Sequence, residues 1–271
     1  MVNEDVAHFV AFDLETTGLF AETDRVVEIG AVRFDASGCE LDRFQRLVNP
    51  GRPMSPAAQA VHGISDADVA EAPPAREVLP AFLAFLGEPG PTQLLAHNAA
   101  FDAGFLGHEL ARAGLLAPSH AIIDTLALAR RLWPSTPNHR LDTLAKLAGL
   151  DPSGVHRAVT DSLRVMGLWL ALSKGGLPPG LLVSYRIADL RRPLPAPCGW
   201  DLLARAIADG CRVLLEYDGG SRGRAPREIT PRRFAHRGGV AYLVAFCHLD
   251  SFEKSFRLDR VRRYELVDAA R

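Results

Sequence analysis

The apolar positions fall into short extended runs at the start of the chain and into helical spacing further on. His8 to Leu14, Val26 to Phe34 and Leu41 to Val48 are apolar or alternating, with Gly38 marking a turn between the last two. They predict a strand meander. Pro50 to Pro56 reads as a loop, followed by a short helical stretch and the segment Val61-His62-Gly63-Ile64. The spacing of Val78, Leu79, Phe82, Leu83, Phe85 and Leu86 predicts a helix that Gly87 to Pro91 ends. Gln93 to Ala96 reads as a short buried strand leading through His97-Asn98 into a helix over Ala99 to Ala113, and Ile122-Ile123 as an edge strand. Helical spacing returns at Asp124 to Leu132, Leu141 to Ala148 and Ala158 to Leu172. The sum is an α/β domain with its antiparallel strands first.

Lys174-Gly175-Gly176, Pro178-Pro179-Gly180 and the prolines at 193, 195 and 197 have the composition of a connector. We therefore expect a domain over residues 1–173, a connector over 174–199 and a second domain over 200–271. In that last part Trp200 to Ala208 is helical, while Val213 to Tyr217, Val240 to Phe246 and Phe256 to Leu258 read as strands. No solenoid-type repeat or low-complexity tract is present.

With 271 residues and 48% hydrophobic content, the chain can bury a sizeable core. It has no apolar run approaching the roughly 20 residues a membrane span requires, and no basic segment leading into an apolar stretch at its start. The expectation is a soluble, cytoplasmic protein. Cys39, Cys198, Cys211 and Cys247 are scattered without zinc-ligand spacing, which argues against a disulfide framework or structural zinc. Charge is uneven: residues 191–271 carry 16 basic against 10 acidic side chains, leaving 15 against 22 in the first 190. Cation-binding and phosphate-binding surfaces produce this asymmetry, and so do ordinary solvated faces.

Three motifs carry the candidate chemistry. Phe12-Asp13-Leu14-Glu15-Thr16-Thr17-Gly18-Leu19 ends the first predicted strand. Strand alternation sends Asp13 and Glu15 to one face, where paired carboxylates repel unless they are protonated, solvated or bridged by cations. The turn at Thr16, Thr17, Gly18 and Leu19 lets backbone approach a nucleotide closely, because glycine has no side chain. Asp102 follows in His97-Asn98-Ala99-Ala100-Phe101-Asp102, and His156 precedes Asp161 in His156-Arg157-Ala158-Val159-Thr160-Asp161. Singly, each has an ordinary structural reading: Asp102 a helix N-terminal acid, Asp161 an exposed helix residue, His156 a surface histidine.

Together they keep the order D-x-E, N-x-x-F-D, H-x-x-x-x-D over Phe9 to Leu172, and the chain resembles the DEDDh exonuclease family. The resemblance implies an RNase H-like mixed sheet flanked by helices and 3′→5′ removal of nucleotides with two divalent cations, Mg²⁺ or Mn²⁺. Oxygen ligands suit those ions better than zinc. By the resemblance, Asp13 contacts both ions, Glu15 assists, and Asp102 holds the ion nearer the leaving group. Asp161 holds the ion carrying the attacking water, and His156 removes that water's proton. His62 resembles a family position near the terminal nucleotide. Asn98 and Phe101 are further candidates for substrate contact, with helix capping and core packing as their structural roles. His97 is assigned to structure and Asp124-Thr125 to capping the next helix.

Val213-Leu214-Leu215-Glu216-Tyr217, Arg227 to Phe234, Ala241 to Phe246 and Phe256 to Val261 are similar to a WYL domain, which implies a small SH3-like β-barrel. Ala241 stands where the naming tryptophan would be. Arg222, Arg224, Arg227, Arg232, Arg257 and Arg260 are candidates for phosphate contact, while Phe234 and Tyr242 are read as core. The expected substrate is DNA, single-stranded or frayed. RNA is the alternative, since nothing in the motifs separates the two sugars. A DNA polymerase partner fits the resemblance, and a non-catalytic nucleic-acid-binding regulator is the rival from another class.

Overall fold

In the computed structural model, which describes residues 6–151, 156–190, 194–219, 225–237 and 239–267, strand β1 (His8–Thr16) is buried along nearly its whole length. That is the pattern of a strand covered on both faces. Val10, Phe12 and Leu14 join one core with Ile29, Phe82, Leu94 and Leu106. Phe9 and Ala11 join another with Leu128, Leu144, Val165 and Trp169. Asp13 and Glu15 continue this second row by strand alternation. Fully burying a side chain such as Phe12 or Phe82 stabilises the fold by about 1.5–3 kcal/mol.

β2 (Val26–Phe34) and β3 (Glu40–Leu47) complete the antiparallel meander. α1 (Pro56–His62), α2 (Asp66–Val69) and α3 (Ala75–Leu86) lead to β4 (Thr92–Ala96), which pairs parallel to β1. α4 (Ala99–Ala113) returns to β5 (Ala121–Asp124), parallel to β4. α5 (Thr125–Leu132), α6 (Leu141–Leu147) and α7 (Ala158–Ser173) follow. The resulting mixed sheet has the order β3-β2-β1-β4-β5-β6, with helices on both faces, as the resemblance implies.

The last strand of that order, β6 (Ser184–Arg186), lies inside the segment expected to be a connector and pairs antiparallel with β5. Ile122 and Ile123 are therefore one strand in from the edge, which corrects the edge assignment. Three exposed residues carry no periodic signal, so β6 is silent in the sequence.

The chain divides into two compact units, 1–190 and 191–271. In the second, α8 (Asp201–Asp209) packs Leu203 and Ala206 into a core with Leu215, Ile229, Phe234, Leu243 and Phe256. The strands are β7 (Val213–Tyr217), β8 (Arg227–Arg237), β9 (Val240–Cys247), β10 (Phe252–Arg257) and β11 (Val261–Leu266). They form one antiparallel sheet ordered β10-β9-β8-β7-β11. Among the described residues no pairing joins β10 to β11, so what is observed of the expected barrel is an open five-stranded sheet. All four cysteines are free. No helix among the described residues is long and apolar enough to cross a membrane.

Candidate active site

Asp13 lies opposite Gly30, and Glu15 opposite Glu28, in the β1–β2 register. A Cβ at Gly30 would collide with the Ala158 carbonyl carbon, so the first turn of α7 rests directly on bare strand backbone. Ser162 pins that approach by donating to the carbonyls of Gly30 (3.0 Å) and Ala158 (2.6 Å). Asp161, in the same turn, is thereby brought over the strand carboxylates. One oxygen each from Asp13, Glu15 and Asp161 falls within 4.8 Å of the others. Asp102, in the first turn of α4, is 2% exposed.

The electrostatics of this cluster are unfavourable without a cation. Surrounding protein, then the charges of Asp102, Glu15 and Asp161, push the Asp13 carboxyl well above the usual carboxylate range. Burial, with Asp161 and Glu28, pushes Glu15 up to about 7, and burial likewise raises Asp102. Glu15 Oε1 and Asp102 Oδ1 are buried without a hydrogen-bond partner. Buried carboxylate oxygens left so are costly, and a hard divalent cation satisfies oxygen-only donors of this kind. The residues present fit such an ion.

His156 stands beside the cluster, its Nδ1 2.9 Å from Asp161 Oδ2. Burial works to lower its pKa, but the hydrogen bond and charge of Asp161, with Asp142 and Glu15, outweigh it and hold it above the ordinary value. Next in the chain, Arg157 is clamped by Glu28, and Ala158 N–H donates to Glu28 Oε2 at 3.0 Å.

Thr17 is 1% exposed and accepts the Arg25 N–H, and Thr16 donates to the Gly18 carbonyl. A Cβ at Gly18 would lie 2.5 Å from Asp24 Oδ2, so a side chain there would displace the Asp24 carboxylate that accepts the Phe20 N–H. Leu19 is 76% exposed. His62 is buried: its Nδ1 accepts the Ile64 N–H at 3.0 Å, which leaves Nε2 as donor to the Thr16 carbonyl at 3.2 Å. It supports the motif loop from beneath, and burial lowers its pKa. Asn98 occupies the N-cap of α4 in the left-handed region (φ 69°), without a side-chain capping bond. Its N–H donates to Asp124, which caps α5. Phe101 packs on Phe105 with ring centroids 4.7 Å apart. His97 bonds Thr125 and the His139 carbonyl.

Three residues of the site were missed in the sequence. Glu28 had a signal, a charge inside an otherwise apolar buried strand. Arg164, 4% exposed, had a weaker one, its i,i+3 spacing from Asp161. Asp142, 3.4 Å from His156 Nε2, had none.

In the second unit, Arg227 is buried, Arg257 is paired with Asp259 at 2.7 Å, and Arg232 and Arg260 are exposed. Arg222 and Arg224 lie outside the described residues. Phe234 is core and Tyr242 half-buried.

A helix-flanked mixed sheet with clustered carboxylates on its central strand and the facing helix defines the RNase H-like exonuclease class. Residues 10–168 match the family described as Exonuclease, and residues 200–266 match the WYL domain. DNA polymerase III subunit epsilon of Treponema pallidum is 40% identical over 173 residues, covering 63% of this chain and 78% of that protein. The PolC-type DNA polymerase III of Bacillus cereus is 40% identical over 154 residues, 57% of this chain but 10% of that polymerase. Among solved structures, a zinc-bound E. coli ExoI–ssDNA complex superposes with TM-score 0.58 at 17% identity, covering 89% of this chain and 55% of that one. The nuclease domain of 3′hExo, described as a DEDDh family member bound to rAMP, gives 0.57 at 18%, covering 68% and 98%. The chain belongs to the Exonuclease family, and it carries a WYL domain after the exonuclease domain.

Proposed function

We propose that the chain hydrolyses phosphodiester bonds at the 3′ end of a nucleic-acid strand, releasing nucleotides in the 3′→5′ direction. The observation that carries this reading is the convergence of Asp13, Glu15 and Asp161 oxygens within 4.8 Å, with unpartnered buried oxygens on Glu15 and Asp102 beside them. Asp13, Glu15, Asp102 and Asp161 would hold two divalent ions, Mg²⁺ or Mn²⁺. When bound, the ions supply neutralisation of charge at phosphorus and acidification of a water. His156 takes the proton of the attacking water, held toward the cluster by its bond to Asp161. The loop from Thr16 to Leu19 is closed tightly enough for a nucleotide to lie against its backbone, and exposed Leu19 offers the terminal base an apolar surface. His62, Asn98 and Phe101 act through that loop and the start of α4.

DNA, single-stranded or frayed, is the substrate we favour. The epsilon-subunit relative and the ssDNA complex of a fold neighbour support it. The rAMP complex of another neighbour supports RNA as the second reading. In the second unit, exposed Arg232 and Arg260 are the described arginines suited to phosphates, and a tethered module that retains the strand raises its local concentration.

The test is a 5′-labelled DNA strand and its RNA counterpart incubated with Mg²⁺ or Mn²⁺, with and without chelator. A metal-dependent ladder shortened from the 3′ end is expected. Intact strands in both metals would overturn the reading and favour a binding role.

A further inference from the structure

Resting on the nuclease reading above, we propose that Arg112, in the last turn of α4, is a positioning residue for the terminal nucleotide, because it holds the loop presenting Leu19 against the helix that carries Asp102. The loop is the excursion between β1 and β2, residues 17–25. Its base is closed by Thr17 and Arg25, whose backbone N–H groups donate to the Arg25 carbonyl at 2.8 Å and to Thr17 Oγ1 at 3.0 Å. Its interior is closed by Asp24, which accepts the Phe20 N–H on Oδ2 at 2.8 Å while its own N–H donates to the Phe20 carbonyl at 2.6 Å. All of these bonds lie within the loop. They give it a shape and leave open how it leans on the rest of the domain.

That lean is set from α4. Arg112 Nη2 donates to two successive loop carbonyls, Ala21 at 3.0 Å and Glu22 at 2.8 Å, and Nη1 donates to Glu109 Oε1 at 3.2 Å. Glu109, almost fully buried, also takes both ends of the Arg25 fork, Nε on Oε1 at 2.7 Å and Nη2 on Oε2 at 3.0 Å. Two guanidinium groups thus share one buried carboxylate, and the Ala21 and Glu22 carbonyls supply acceptors that Glu109 alone cannot. A Cβ at Gly104 would lie 3.8 Å from Ala21 Cβ, ordinary contact, so the loop also rests on α4 two residues beyond Asp102.

One rigid helix therefore carries a carboxylate of the cluster near its start and the anchor of the Leu19 loop near its end. Arg112 follows Asp102 by ten residues, about 15 Å along the axis, and helical side chains lean toward the N-terminus, which lets it reach back to the loop. It acts on the nucleotide through Leu19 and not at the reacting phosphate. Arg52 is a second tether, bonded to the Thr23 carbonyl and paired with Asp24 Oδ1 at 3.2 Å. Loss of Arg112 accordingly loosens the loop without releasing it.

The test uses the full chain with Arg112→Met, which keeps the apolar stem, and with Arg112→Ala and Arg112→Lys, alone and combined with Leu19→Ala. Turnover on a 5′-labelled DNA strand is resolved into kcat and KM, with Mn²⁺ affinity by calorimetry and amide hydrogen exchange by NMR without substrate. Arg112→Met and Arg112→Ala should each raise KM about tenfold, the worth of a charged hydrogen bond. Neither kcat nor Mn²⁺ affinity should change. Arg112→Lys, whose ammonium still donates to the loop carbonyls, should recover part of the loss. On the Leu19→Ala background, Arg112→Met should raise KM little further. Amides of Thr23 and Asp24 should exchange faster in Arg112→Met, and those of β1 should not. A residue serving stability alone gives the opposite split, because a partly unfolded preparation has less active enzyme, which lowers kcat and leaves KM as it was. That split, a full additional rise in KM without Leu19, or weakened Mn²⁺ binding would each overturn the proposal. A wild type that leaves strands intact refutes the nuclease reading instead. Exchange still decides the Arg112 clamp in that case, and Thr23 and Asp24 amides indifferent to Arg112→Met sink it.

Discussion

Glu28 and Arg157 are bonded through both ends of the carboxylate, with Arg157 Nη2 2.7 Å from Oε1 and Nε 3.0 Å from Oε2, while Oε2 also accepts the Ala158 N–H. One buried carboxylate on β2 thus fixes the turn that carries His156 on one side and Asp161 on the other. Gln45 donates to the same group at 2.8 Å. Glu28→Ala leaves these donors without their acceptor. Arg157 is 39% exposed and is partly rehydrated, so we expect a loss of about 2 kcal/mol, the worth of bonds to a charged acceptor. Strand cleavage should fall further than stability alone explains. Denaturant unfolding and turnover measured on the same preparation check both.

Glu28 and Glu15 impose opposite pH dependences on the cation-free protein. Burial acts to raise Glu28, but bonds from Arg157, Gln45 and Ala158 hold it below the ordinary value. Its contribution is therefore complete above the unfolded pKa of about 4.3 and lost as pH falls through the folded one. Glu15, raised to about 7, binds its proton more tightly in the folded state. Stability from this source is present below about pH 4.3 and is lost as pH climbs toward 7. Melting temperatures in chelator should decline across that interval, with Asp13 and Asp102 adding the same sign. Glu15→Gln should make the decline shallower, and an unaltered slope would contradict the assignment.

Asp13→Asn removes the central charge of the cluster. Without cations the variant should melt above the wild type, with the gap widening as pH rises, because only the wild type has a buried carboxyl that must resist ionisation. It should also fail to be stabilised by added Mn²⁺ and should not cleave. Thermal melts with and without metal test this, and a variant that still gains stability from Mn²⁺ places the ion elsewhere.

Gly30→Ala forces α7 away from β2, because its new Cβ meets the Ala158 backbone. Overpacking of this kind costs roughly 1–3 kcal/mol, and backbone yields less readily than a side chain. Activity should fall more steeply than stability, since Asp161 moves with the helix. A structure of the variant with Asp161 still beside Asp13 would reject this coupling.

Charge reversal at Arg232 and Arg260 tests the second unit. If that unit retains nucleic acid, the double variant should bind a strand more weakly and with a shallower salt dependence. The slope of log affinity against log salt should flatten by roughly one for each phosphate that no longer meets an arginine. Cleavage at saturating substrate should be unchanged.

The chain's linear order was enough to place Asp13, Glu15, Asp102, Asp161 and His156 in one candidate site, because each sits at a local signal. These are strand alternation for the first pair, and helix starts or the loop before one for the others. Most elements of the first unit were legible for the same reason. β8 and β11 carry no clear strand signal, since arginines and glutamates interrupt their alternation.

What only the tertiary structure decided is how the long-range partners meet. Glu28 and Arg157 are 129 residues apart in the chain, and Arg164 and Asp142 are 22 apart. Such pairs leave no periodic trace, because their geometry is set by how α6, α7 and the sheet pack. His62 shows the same limit. Its segment resembles a family position near the terminal nucleotide, and only its burial and its two bonds, to Thr16 and Ile64, show that it holds the motif loop in shape. Local chemistry is written residue by residue; the partners that orient it are selected by packing.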